Sequence, residues 1–188
     1  MTQSTILIIG TFDTKDDELR FLQNVIHNQD GHTLTMDVSV LKDPKTPTDI
    51  SKHAVAEAGG TDIESIIALG DENQAMQAMA LGASRLTVEA QSKGQIDGVI
   101  ILGGSMGTDL ALDVCLALPI GIPKYIVSTI AFSPLLQPER IAADVQMILW
   151  AGGLYGINSI CKATLSQAGG AVLGACLLYT SPSPRDRG

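Results

Sequence analysis

The chain has 188 residues, 45% hydrophobic and 17% charged, which suits one domain whose core needs neither disulfides nor metal. Twenty acidic against twelve basic residues give a formal charge of −8 and a pI near 4.7, which argues against a general nucleic-acid or anionic-membrane surface. The three cysteines form no Cys-x-x-Cys pair, residues 1–4 carry no basic or apolar leader, and no apolar run reaches membrane-spanning length, so a cytoplasmic protein without a membrane partner is expected.

Thr5 to Gly10 is an apolar, β-branched run ending in glycine, the pattern of a strand buried on both faces. Thr14 is placed to cap the helix that follows, whose first turn holds Asp16, Asp17 and Glu18 and whose apolar stripe is Leu19, Leu22, Val25 and Ile26, with Gly31 as its stop. A second strand is expected over 33–40, a loop over 41–47 and a modest helix over 48–58. Residues 62–93 read as mostly helical, with Met76, Met79, Ala80, Ala83, Leu86 and Ala90 on one face. A third strand spans 98–102, a helix 107–116, a fourth strand 124–128 and a fifth 146–150, and a last helix spans 154–168. Alternating strands and helices without an internal repeat imply an α/β fold, a Rossmann-like, open, mostly parallel sheet with helices on both faces.

The turn Gly103-Gly104-Ser105-Met106-Gly107-Thr108 follows a buried strand and opens a helix, where free backbone N–H groups favour an anion. It is neither a P-loop nor a Gly-x-Gly-x-x-Gly turn, and simple helix–sheet packing is the alternative use of its glycines. In open α/β sheets ligands sit beyond the carboxyl ends of the strands. There the pattern gathers Thr11, Asp13, Thr14 and Lys15 after strand one, Asp37 and Ser39 after strand two, the glycine turn after strand three, and Ser128 and Thr129 after strand four, with no comparable set at the opposite edge. Ser105 and Thr108 add hydroxyls, Lys15 offers a positive charge to a phosphate, and Asp13 suits Mg²⁺, which takes oxygen ligands and bridges phosphates. The competing use of Asp13 and Thr14 is helix capping, and that of Ser128 and Thr129 is capping the next loop. Arg85, Arg140 and Lys162 are the other cations long enough to reach a phosphate; Cys115 and the methionines read as core.

The stretch 176–188 breaks the small-residue pattern of 169–175 and is similar to a translated transposase-type sequencing adapter, with a Pro/Ser linker as the alternative. The expected organisation is therefore a nucleotide-binding domain over 1–175, a non-native tail over 176–188, and a second domain absent from this chain.

In order, Gly10 to Lys15 with Glu18-Leu19, Asp37-Val38-Ser39, Ile96 to Thr108, Leu118 to Lys124, Val127 to Ala131 and Gly156-Ile157-Asn158 resemble the Tm-one-like ATP-binding family, in its uncharacterised bacterial branch. The resemblance covers nearly all of 5–175 and rests on the ordered set. It implies an amino-terminal Rossmann-like domain that binds ATP with magnesium, a homo-oligomer such as a dimer, and no general reaction. By position it assigns Asp13, Thr14, Gly103, Gly104, Ser105, Gly107, Thr108, Ser128 and Thr129 as nucleotide neighbours. Met106 stands where the family commonly has glycine, and Glu72-Asn73 where arginine and glycine are usual. Two other functions fit the same residues: an enzyme acting on a small phosphorylated or carboxylated metabolite, with Asp13 or Asp37 as its acid/base group, and an interaction module stabilised by nucleotide.

Overall fold

A computed structural model describes residues 3–151 and 156–179. Five strands, β1 (Thr5–Gly10), β2 (His32–Asp37), β3 (Gly98–Gly103), β4 (Lys124–Ser128) and β5 (Val145–Leu149), form one sheet in the order β2-β1-β3-β4-β5. Every neighbouring pair is parallel. The expected doubly wound α/β architecture is what the chain adopts.

The central strands are apolar on both faces because both are covered. Leu7, Ile9, Val99 and Ile101 face a core shared with α2 (Lys52–Gly59), α4 (Glu72–Ser92) and α5 (Ser105–Ala117). Their neighbours Ile6, Ile8, Ile100 and Leu102 face the core made with α1 (Asp16–His27) and α6 (Ser159–Tyr179). A short α3 (Ile63–Ile67) precedes α4, so the expected 62–93 helix is two helices, with Asp71 capping the second through the Gln74 N–H. Gly82 lets α4 lie on α2, since a Cβ there would sit 1.8 Å from the Val55 carbonyl oxygen.

Several boundaries move for identifiable reasons. The left-handed residue after α1 is Asp30 (φ 61°), two residues past the C-cap, so Gly31 is not the stop. β2 ends at Asp37, earlier than expected, because that side chain folds back onto the backbone of residues 12 and 39. α5 begins at Ser105, two residues early, so Gly107 and Thr108 lie inside its first turn. The last helix runs to Tyr179 and buries Cys176, past the small-residue stretch at 169–175; residues 154 and 155 of its expected start, and 180–188, lie outside the described residues. α6 is also long and apolar enough to cross a membrane by length and composition, contrary to the expectation that no run is. Here it packs Leu165, Ala168, Val172 and Cys176 into the core beside α1.

β1 and β3 are adjacent while the chain visits β2 between them, so the connections leave their carboxyl ends in opposite directions. A crevice opens at that switch point.

Candidate functional site at the carboxyl edge of the sheet

The start of α5 is built by three glycines with different duties. A Cβ on Gly103 would lie 2.5 to 2.8 Å from the backbone of Gly107 and Thr108, so this glycine exists to let the helix start press on the strand end. A Cβ on Gly104 or Gly107 would meet nothing closer than 3.9 Å, so their backbone faces open space. Gly104 is the N-cap, and its carbonyl accepts the Thr108 N–H at 2.8 Å. The N–H groups of Ser105, Met106 and Gly107 precede that first bond, no side chain caps them, and no acidic residue occupies the turn. The Thr108 and Ser128 hydroxyls are 2.6 Å apart and both buried; Ser128 Oγ also accepts the Ile130 N–H. That pair pins α5 to the end of β4.

The loop after β1 takes a different form. The Thr11 carbonyl accepts the N–H groups of Thr14 (3.2 Å) and Lys15 (2.9 Å), and the Thr11 and Thr14 hydroxyls lie 3.0 Å apart. Thr14 therefore does not cap α1, whose N-cap is Lys15 with no side-chain cap bond. Nor does Asp13: its N–H donates to Ser39 Oγ at 3.0 Å and its Oδ2 accepts the Lys42 N–H at 3.0 Å, tying the loops after β1 and β2 together. Asp13 Oδ1 is buried with no partner among the described residues.

Behind it lies Asp37, wholly buried. Its Oδ1 accepts the N–H groups of Phe12 (3.2 Å) and Ser39 (3.0 Å) and the Ser39 hydroxyl, while its Oδ2 has no partner. Burial pushes the Asp37 carboxyl up from the usual carboxylate range; the Ser39 and Phe12 hydrogen bonds pull it back in part, and the charge of Asp13 adds to the rise.

These elements enclose a cleft of about 200 Å³. Thr11, Asp13, Thr14, Lys15, Gly103, Gly104, Ser105 and Gly107, all expected from sequence, line it together with Val40, Leu41, Glu72, Met76 and Met106. Thr108, Ser128 and Thr129 do not line it, although Thr129 Oγ1 is the atom nearest a Cβ on Gly104. Lys15 is the cation of the lining, and its Nζ also stands 5.6 Å from the centroid of the Trp150 ring. The position of Glu72 was marked in the sequence by its departure from the family's usual arginine, whereas Val40 and Leu41 were missed, because their place in the wall depends on how far the 38–51 loop reaches over the sheet edge. A second space of about 340 Å³ adjoins the first, sharing Ser105 and Met106. Of the other cations singled out, Arg140 lines this second space while paired with Asp109 and Asp113, Arg85 donates to the Ala58 carbonyl, and Lys162 stands 5.9 Å from the Phe21 ring centroid. Cys115 is core, its thiol pushed up to about 12 by burial.

Residues 4–181 match the model of the uncharacterised protein family (UPF0261) N-terminal domain. A UPF0261 protein of Brucella suis biovar 1 (strain 1330) is 57% identical over 178 residues, covering 95% of this chain and 43% of that protein. A UPF0261 protein of Clostridium tetani (strain Massachusetts / E88) is 37% identical over 90% of this chain and 42% of its own length. The ToMV resistance protein Tm-1(GCR237) of Solanum lycopersicum is 32% identical over 90% of this chain and 24% of that protein, in line with the resemblance drawn from the ordered motifs. The chain thus spans less than half the length of the curated relatives it matches. On the family match over nearly its whole length, the chain belongs to the UPF0261 family as an N-terminal domain of the Tm-1-like bacterial branch.

Proposed function

We propose that the switch-point cleft binds a magnesium nucleotide, with ATP as the first candidate, its phosphates lying against the start of α5. One observation carries this reading: the three uncapped N–H groups of Ser105, Met106 and Gly107, in a helix turn free of acids, belong to residues lining a cleft that also holds Lys15. The cleft also holds the carboxylates of Asp13 and Glu72, which would repel a bare polyphosphate. A divalent cation between carboxylate and phosphate removes that repulsion, and Asp13, with a buried oxygen lacking a partner, is the residue placed to hold it. No group of three His, Cys, Asp or Glu suited to a metal occurs among the described residues, which fits a cation shared with the ligand's own phosphates better than a protein cage.

Of the two acid/base candidates, Asp37 is wholly buried and does not line the cleft, so Asp13, the residue placed at the cation, is the one that a catalytic reading would have to use. Calorimetric titration of the purified chain with Mg-ATP tests the proposal. Saturable binding is expected, with at least a tenfold loss in Gly104→Leu, at a residue that lines the cleft and where a Cβ meets nothing closer than 3.9 Å. Absence of binding at millimolar Mg-ATP overturns it.

A further inference from the structure

We infer that Trp150 is the positioning residue for Lys15: the face of its buried ring holds the ammonium at the cleft without tying it to a carboxylate, so that its charge is kept for the oxyanion. The inference rests on the reading of the cleft as an oxyanion site and adds the residue that places its cation. Lys15 is surrounded in sequence by acids, with Asp13 two residues before it and Asp16, Asp17 and Glu18 directly after it. An ion pair with any of them would spend the charge that an incoming anion needs. Among the described residues the Lys15 ammonium makes no such pair. Asp16 pairs with Arg20 and Asp17 with Lys45, and the group that Lys15 meets is the Trp150 ring, 5.6 Å from Nζ to the centroid. A ring face attracts a cation through its quadrupole and leaves its net charge intact.

The ring itself is fixed by packing and by a strand end. Trp150 is 1% exposed, in the core that also holds Phe12, Leu102 and Val127. Its backbone N–H donates to the Ser128 carbonyl at 2.9 Å, and the Ser128 hydroxyl lies 2.6 Å from that of Thr108 in the first turn of α5. The platform under Lys15 is thus tied to the helix start that supplies the uncapped N–H groups. Packing alone does not call for an indole at this position. The Trp150 Nε1 is buried with no partner among the described residues, a cost that phenylalanine or leucine would not carry. What the indole adds is the aromatic face that attracts a cation best.

The test is a double-mutant cycle, read by calorimetric titration with Mg-ATP, on the unaltered chain, Lys15→Met, Trp150→Leu and Lys15→Met/Trp150→Leu, with Trp150→Phe as the conservative variant. Lys15→Met should lose about tenfold in affinity and Trp150→Leu about fivefold. The double variant should lose no more than Lys15→Met alone, and Trp150→Phe should stay within about twofold of the unaltered chain. A second measurement leaves the core untouched, should Trp150→Leu fail to fold. Trp150 is the single tryptophan of the chain. Its emission, excited where adenine does not absorb, should change saturably with Mg-ATP in the unaltered chain and stay flat in Lys15→Met at concentrations that calorimetry shows to be saturating. Additive losses in the cycle, or the same emission change in both chains, overturn the role of Trp150 while leaving the anion site standing. Failure of Mg-ATP to bind the unaltered chain removes the site and the positioning role with it.

Discussion

At the amino edge of the sheet every buried charge is answered. Lys124, 1% exposed at the first position of β4, donates to Asp144 at 2.7 to 2.8 Å and to the Pro119 carbonyl at 2.8 Å, and the Gly121 N–H completes the Asp144 carboxylate. Asp97 accepts the Thr5 N–H that opens β1. At the carboxyl edge the accounting is different. The three buried side-chain polar atoms without a partner among the described residues, Asp13 Oδ1, Asp37 Oδ2 and Trp150 Nε1, all lie there, after or at the ends of β1, β2 and β5. The uncapped start of α5 lies there too. Buried polar atoms are normally paired, so a set of exceptions on one edge marks where the fold has kept polar capacity in reserve.

The comparison predicts where substitutions cost stability. The largest loss is expected for Asp144→Ala, which leaves the Lys124 ammonium buried with a single carbonyl for company. Removing one partner of such a pair costs about 3–5 kcal/mol, readable as a lower urea midpoint at unchanged slope. A loss below about 1 kcal/mol would mean that water reaches Lys124 and that the amino edge is no tighter than the other.

Next come two neighbouring glycines at the carboxyl edge. Gly103→Ala drives a Cβ into the backbone of Gly107 and Thr108 and is expected to cost about 1–3 kcal/mol. Gly104→Ala has room and extended dihedrals (φ −75°, ψ −156°), and is expected to stay within about 0.5 kcal/mol. Paired denaturation curves separate the two. Equal costs would mean that both glycines serve packing, and the open backbone assigned to the ligand would lose its basis.

The contrast was partly readable in the sequence. Apolar β-branched runs announced β1 and β3 because strands covered on both faces have no polar side to hide, and the glycine turn announced the crevice. The duties of individual residues were not readable. Thr14 looks like a cap until its hydroxyl is seen beside Thr11, and Ser128 looks like a ligand contact until Thr108 is found 2.6 Å away. The first is set by a local turn over residues 11–15, and the second by packing between residues 20 apart in sequence. The second chamber depends on the 130–140 loop folding back over α5 through Arg140, a contact spanning 27 to 31 residues that no local pattern encodes.

Two carboxyls, one at each edge, sharpen the comparison through pH. Burial works against the Asp144 carboxylate, but the Lys124 ammonium and the Gly121 N–H outweigh it and hold the group below its ordinary value of 3.8. Its contribution to stability is therefore present above that value and lost as pH falls through the lower, folded one. Asp37 is raised instead, chiefly by burial, so the folded state binds its proton more tightly than the unfolded chain does. Its ionisation costs stability at neutral pH, and that cost disappears as pH falls through the raised value toward 3.8. Asp37→Asn keeps an oxygen for the Phe12 and Ser39 donors and removes the buried charge. The variant is expected to be more stable than the unaltered chain at pH 7 and to lose that advantage as pH falls toward 3.8. A variant less stable at pH 7 would show that the fold draws net stability from the Asp37 carboxylate, which would move Asp37 from the reserve at the carboxyl edge into the class of Asp144.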